Sequence, residues 1–383
     1  GLLALGREVL LSGSVVRHTL GREGDLRAGF GAMSAAAVET GREAQLEVVG
    51  SLVAGNRAMG VVGFGGDLAI RDTVIRDTEA RLSDGFGGRG VEVQCRTDLE
   101  VCGVASVAHS LVVSNRDAGM FVSGAELRVT DSVIRNQLPA VAGSGGSGVV
   151  AGCDLDVGRC AALLVERCLV ASNLTSGIRG EGDLTITDSL VRDTGPQPDG
   201  APGHGIHAAC DPAAPCGRLD VQRTVVARNH GAGVSAVGVA TTLTGLWIHD
   251  THAATSADGS DFGHGVMATC PAWAVPCGTL TVSLSHIASS VTAGIATEGV
   301  PGSVSTSLVE GVQSRPADAA FGYGLQLARG DVAAVTFLVD RCVVRDAELA
   351  GVFFAGVEGI LAGSNITQTP FPVVLDAAAD AQL

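Results

Sequence analysis

The sequence predicts an all-β solenoid, one chain wound into a single parallel coil of about thirteen rungs, and three observations predict it. A Ser, Thr or Cys recurs at Ser14, Ser51, Thr73, Ser110, Ser132, Cys168, Ser189, Thr224, Ser285, Ser307, Cys342 and Ser364, with Leu246 as the one exception. The separations alternate between about 22 and about 36 residues, a two-rung super-repeat of about 58. The residue two after each anchor, Val16 through Val170 and Val226 to Ile366, is β-branched in every repeat. A third column three before the anchor is apolar throughout, as in Leu11, Val48, Ile70, Val107 and Val129.

Each rung follows from these columns. Inward residues at −5 and −3, then at 0 and +2, are two short strands of period two joined by a one-residue phase shift, and that shift is a corner. No segment sustains the three-and-four spacing of a helix. Asn56, Asn115, Asn173 and Asn229 at +5, with Gly60, Gly119, Gly177 and Gly233 four later, predict a repeated left-handed turn. The next Val or Ile (Val61, Ile178, Val234, Ile295, Val352) opens a third strand. Rungs spaced ~4.8 Å apart would span roughly 60 Å, with Ser and Thr hydroxyls exchanging hydrogen bonds between them.

The stretch Asp183-Leu-Thr-Ile-Thr-Asp-Ser-Leu-Val-Arg-Asp-Thr194 resembles the generic rung of the right-handed parallel β-helix repeat proteins, the broad pectate-lyase-like superfamily. The resemblance runs from about Val9 to Thr369 and implies a right-handed coil. It carries no single activity, since the fold hosts lyases, hydrolases, epimerases, adhesins and stalks. The chain is read as one domain over 1–383, with terminal rungs at about 1–43 and 325–383 that lack disulfide loops. Neither end shows a clear polar cap, which leads to the expectation that a capping segment or further domain has been removed. Gly1 stands where a Met or a signal peptide would begin, so a mature or trimmed portion is expected.

Composition narrows the setting. The net charge of −15 disfavours nucleic acid and anionic membranes as partners, and no run of 18 apolar residues offers a membrane span. All 25 basic residues are Arg, as in a GC-rich bacterial genome. Eight of the ten cysteines fall in four pairs, Cys95/Cys102, Cys153/Cys160, Cys210/Cys216 and Cys270/Cys277, at one place in successive long coils. Such spacing predicts four small disulfide-closed loops and an extracytoplasmic, secreted or cell-surface protein. Zinc is the rival reading, but each loop offers only two sulfurs. Cys168 and Cys342 stand in the anchor column and are expected to be buried thiols in place of serine.

The other insertion of each long coil is a polar loop, at 21–29, 79–88, 138–146, 195–203, 252–263 and 313–322. Stacked on alternate rungs, these loops form a comb, the usual place for a binding face on a solenoid. Asp199, Asp258, Asp261 and Asp318 lie there without matching a calcium-loop pattern, so no cofactor is assigned and calcium is allowed rather than supported. Each loop ends in Gly-x-Gly with Phe30, Arg89, Ser147, His204, His264 or Tyr323 in the middle. Gly203-His204-Gly205 and Gly263-His264-Gly265 look like an element of polygalacturonases, but that family's Asn-Thr-Asp, Asp-Asp and Arg-Ile-Lys elements are missing. Arg17, Arg76, Arg135 and Arg192 alternate with Asp77, Asp193 and Asp250, which predicts cross-rung ion pairs of little individual worth.

The expected function is a non-catalytic structural or surface-recognition solenoid that binds a polysaccharide or a surface protein through its stacked loops. Trp273, Tyr323, His204 and His264 are the candidate ligand contacts, with Trp247 and Phe321 completing a small aromatic patch. The alternative is a polysaccharide lyase or glycoside hydrolase with His264, Asp261, Asp258 and Tyr323 as its catalytic group. A third reading is a stalk within a larger secreted protein.

Overall fold

The computed structural model describes all residues except 22–28, 38–41, 43, 141, 142, 144, 198, 199, 201, 256–260, 275, 316–318, 333, 377–379 and 383; the side chains of 255, 261 and 380–382 also lie outside the description. The chain divides into two compact units, Gly1–Thr185 with Ala213–Pro215, and Ile186–Pro212 with Cys216–Leu383.

Within unit 1, three parallel ladders form three faces. Face A stacks Leu2–Leu5, Ala32–Ala35, Met59–Phe64, Arg89–Arg96, Ala118–Ser123, Ser147–Asp154 and Ser176–Gly180. Face B runs from Glu8–Ser12 to Ala162–Glu166, and face C from Val15–Arg17 to Leu169–Ala171. Unit 2 repeats the plan, with face A from His204–Ala209 to Phe371–Leu375, face B from Arg218–Gln222 to Glu358–Ala362, and face C from Leu190–Arg192 to Asn365–Thr367. Each unit is a right-handed parallel β-helix, and together they hold the thirteen face C strands of thirteen rungs.

The inward columns are where the repeat puts them. Leu46, Val48, Ser51 and Val53 are all buried, and the same holds for Leu219, Val221, Thr224 and Val226 in unit 2. The anchor hydroxyls bond differently from the expected exchange. Most donate to the carbonyl two residues earlier and accept the backbone N–H of the neighbouring rung's anchor. Ser110 Oγ donates to Ala108 O (2.7 Å) and accepts from Thr73 N (3.2 Å). Buried carbonyls and amides beside a tight corner are thereby paired.

The corners themselves differ from the sequence expectation. In all thirteen rungs the left-handed residues stand at −1 and +4 from the anchor, for example Asp72 (φ 52°) and Asp77 (φ 55°), or Arg223 (φ 45°) and Arg228 (φ 52°). The Asn column at +5 is inside the barrel and builds a ladder. Asn115 Oδ1 accepts from Thr78 N (3.1 Å), and its Nδ2 donates to Ile75 O (3.4 Å). Gly119 has ordinary backbone angles; a Cβ there would meet Gly148 O at 2.7 Å and Ile134 Cγ2 at 2.9 Å. Close approach, rather than turn geometry, demands that glycine.

Corner residues carry several of the cross-rung ion pairs, and the strand residue Arg345 makes another with Glu310 (2.7 Å). Arg167 grips Asp131 with two bonds of 2.8 Å, Arg223 grips Asp188 (2.7 and 2.8 Å), and Arg228 grips Asp193 (2.7 and 3.0 Å). Of the columns named from sequence, Arg76 meets Asp77 (3.4 Å) and Arg192 meets Asp193 (2.8 Å), both within a rung.

All four cysteine pairs are bonded, with Cα–Cα distances of 4.0, 3.8, 4.8 and 5.7 Å. Cys95 and Cys153 lie opposite Cys102 and Cys160 across short antiparallel bridges. Four such loops place the chain in an oxidising, extracytoplasmic compartment. Cys168 and Cys342 are buried thiols that donate to backbone carbonyls as serine would: Cys168 Sγ to Glu166 O (3.2 Å) and Cys342 Sγ to Asp340 O (3.3 Å). Burial raises both pKa values, that of Cys168 to about 11. Neither thiol is expected to react with a soluble alkylating reagent at neutral pH, and both should label on unfolding. Mass spectrometry of native and urea-treated protein checks this, and a rapid native adduct at Cys168 would contradict it.

Candidate functional site

In the long coils the polar loop precedes the face A strand, and in the four that carry a disulfide the disulfide loop follows it, so both insertions border face A. The middle residues of Gly-x-Gly open these strands. In unit 2 they are His204, His264 and Tyr323, and alanines take the same column on neighbouring strands, with Ala232 opposite His264, and Ala293 and Ala350 opposite Tyr323. Large and small side chains alternate, which leaves room beside each alanine.

Phe262 fills one such space. Its ring stacks on His204 (6.4 Å between centroids, 29°) and on His264 (5.5 Å, 20°), so a phenyl ring separates the two imidazoles. His207 extends the row at 5.2 Å from His204, and its Nδ1 lies 3.1 Å from Ser235 Oγ. Burial, with a smaller effect from the His204 charge, lowers the pKa of His264 to about 4. His264 is therefore neutral at physiological pH. An imidazole held so low is a weak general base and holds no proton to give as an acid near neutrality.

Beyond His264 the floor of face A opens into a cavity of about 340 Å³, lined by His264, Met267, Thr269, Thr297, Glu298 and Gln326 among others. On the following strands Tyr323 stacks on Phe353 (5.0 Å, 17°) and meets Phe321 edge-on (6.2 Å, 80°), and Arg315 lies over Phe321 at 4.8 Å. Burial raises the Tyr323 pKa, so the phenol keeps its proton as a donor.

The remaining sequence candidates are not all gathered there. Trp273 is half-exposed on the short 3₁₀ turn Ala272–Ala274, inside the Cys270–Cys277 loop. Trp247 is on face C, so the predicted patch of Trp247, Trp273, Phe321 and Tyr323 does not form as one surface: Tyr323 opens a face A strand. Asp199, Asp258 and Asp318 lie outside the described residues, and Asp261 is placed only by its backbone, opposite Thr255. Among the described residues no group of three His, Cys, Asp or Glu is arranged to hold a metal ion. Phe262, His207, Met267, Gln326 and Phe353 escaped sequence reasoning. Four of them carried a usable signal: His207, Met267, Gln326 and Phe353 each stand three after the first residue of a face A strand, an outward position by period two.

Unit 1 uses the same column differently. The Arg89 guanidinium lies over Phe121 (3.7 Å) and against Phe86 (5.1 Å). Its Nε donates to Asp117 Oδ2 (2.8 Å), and its Nη1 is 3.2 Å from Glu92 Oε1, which also accepts from Gln94 Nε2 (2.6 Å). Arg89 and Glu92 are 8 % and 3 % exposed, and burial raises the Glu92 pKa against the opposing pull of Arg89.

No family model matches the sequence, and no curated protein matches it. Solved structures do. The chain is similar to the periplasmic alginate epimerase AlgG at 12 % identity, covering 100 % of this chain and 74 % of that one with a TM-score of 0.41. It is similar to the A-module of the Azotobacter vinelandii mannuronan C-5 epimerase AlgE4 (10 %, 98 % and 90 %, 0.47) and to the Dettilon tailspike protein (13 %, 97 % and 61 %, 0.46). The assignment of fold rests on the chain's own three parallel ladders and its left-handed corners: this is a right-handed parallel β-helix repeat protein.

Proposed function

We propose that this chain is a non-catalytic recognition solenoid, secreted or on the cell surface of a bacterium, and that face A of unit 2 binds a polysaccharide. The observation that carries the reading is the cavity beside His264, with an apolar floor from Met267 and hydrogen-bonding groups from Gln326, Glu298 and Thr269. A sugar ring has one apolar C–H face and a rim of hydroxyls, and such a site matches both. Tyr323 and Phe353 continue the floor with two parallel rings. His264 serves as a neutral wall, its ring stacked on Phe262. The proposal takes residues 1–383 as a single domain, because both units repeat one rung plan.

Affinity electrophoresis through gels containing neutral and acidic polysaccharides tests the site. One of the gels is expected to retard the protein. Tyr323→Ala and Gln326→Ala are expected to weaken that retardation about three- to tenfold each. Retardation unchanged in both variants would overturn the placement, and no retardation in any gel would overturn the reading.

A further inference from the structure

Face C of unit 2 carries an aromatic cluster with no role in the site above. The first outward column of this face carries the aliphatic residues Leu190, Val225, Leu308 and Val343 and ends on Asn365, but Trp247 and His286 occupy two adjacent positions in it. Trp247 is 48 % exposed, so burial of the indole does not account for its presence where valine serves next door. The Trp247 and His286 rings are parallel within 13° at 6.5 Å, and His249 leans on the indole at 4.3 Å.

The polar groups around the rings are fixed by their own partners. His249 Nδ1 meets Asp250 Oδ2 at 2.7 Å, and His286 Nε2 meets Glu310 Oε1 at 2.8 Å. Arg345 Nε donates to the other Glu310 oxygen at 2.7 Å, and these contacts hold the Glu310 carboxyl below its usual range, with Arg345 the larger cause. Next to His286, along the corner between faces B and C, lies a cavity of about 430 Å³ with Thr306, Ser307, Leu308 and Arg341 in its wall.

We propose that Trp247, His249 and His286 form a second binding site, for a single pyranose ring of a neutral glycan. The half-exposed indole, with the His286 ring parallel beside it, offers apolar surface that fits the C–H face of a sugar. The carboxylates of Asp250 and Glu310 each bond a histidine, Glu310 also binds Arg345, and the chain's net charge of −15 disfavours an acidic glycan as the ligand. The second ring nitrogens of both histidines, and Arg341 beyond its bond to Asp340 (2.9 Å), would be the groups to bond hydroxyls at the sugar's rim. This site stands on face C observations alone and does not depend on the face A reading.

The chain has two tryptophans, so Trp273→Phe leaves Trp247 as the sole indole reporter. Titration of that variant with gluco-, manno- and chito-oligosaccharides is expected to give a saturable change in Trp247 emission with at least one of them. Calorimetry of the full chain should then show about tenfold weaker binding of the same oligosaccharide in Trp247→Ala, with an unchanged unfolding midpoint. Tyr323→Ala should leave the emission change intact, which separates this site from the one on face A. An emission that no oligosaccharide moves, a response to choline alone, or a response lost in Tyr323→Ala would each overturn the proposal.

Discussion

Arg89→Met is expected to destabilise the protein by about 3–5 kcal/mol at neutral pH, the usual cost of removing one partner from a buried charge pair. The substitution keeps volume over Phe121 but strands Glu92, which is 3 % exposed, and removes the donor to Asp117. The loss should depend on pH with a definite sign. The folded-state pKa of Glu92 is raised above its ordinary value of 4.5, so the folded state binds this proton more tightly than the unfolded chain. Its contribution to stability is present below that ordinary value and is lost as pH rises through the folded pKa. Arg89→Met raises that pKa further, so the variant should recover much of its stability on acidification from neutral pH toward about 5. Glu92→Gln, which keeps the Gln94 contact without the charge, should be far milder. Urea midpoints at two pH values measure both, and an equal loss at each pH would contradict the account.

The second large effect is expected from the internal amide ladder. Asn115→Leu removes the acceptor for Thr78 N–H and the donor to Ile75 O inside a dry barrel, where each orphaned group costs about 1–3 kcal/mol. A loss of about 2–4 kcal/mol should follow, with amide exchange accelerated in the two adjoining rungs first, because a solenoid's interactions are between neighbours. Asn115→Gln should recover most of it. Gln137 already performs the same task one rung on, accepting from Asn115 N (2.9 Å) and donating to Val112 O (3.0 Å). If the leucine variant unfolds like the native chain, the ladder is decorative.

Those residues also show what the sequence makes legible. The β-branched and hydroxyl columns were readable because every rung needs the same shape at −3, 0 and +2. The corners were readable as a phase shift but misplaced by one residue at the Asn column. Left-handed positions accept Arg167, Leu284 and Thr306 as well as Asp and Gly, so composition does not mark them. Asn and Gly did stand out, but for other reasons: Asn115 pairs backbone groups along the barrel, and Gly119 leaves no room for a Cβ.

The site was legible only as a column. Gly-x-Gly located His204, His264 and Tyr323 on one face, but the ring that separates the imidazoles, Phe262, comes from the two-residue strand Asp261–Phe262, too short to show a period. Glu92 looks like a solvated outward residue by period two; only packing under Phe86, Phe121 and Arg89 makes it a buried acid. Trp247 and Tyr323 were expected together because both are rare residues in the C-terminal half, and rarity says nothing about which face a residue occupies.

Recognition without turnover is the central claim, and one incubation tests it most directly. Purified chain is mixed with acidic and neutral polysaccharides, with and without calcium, while unsaturated-product absorbance, new reducing ends and retention on the glycan are followed together. The account predicts retention on at least one polysaccharide with neither product, unchanged in kind when His264 is replaced by alanine. Product formation that disappears in His264→Ala would contradict it and make the neutral imidazole wall a catalytic group.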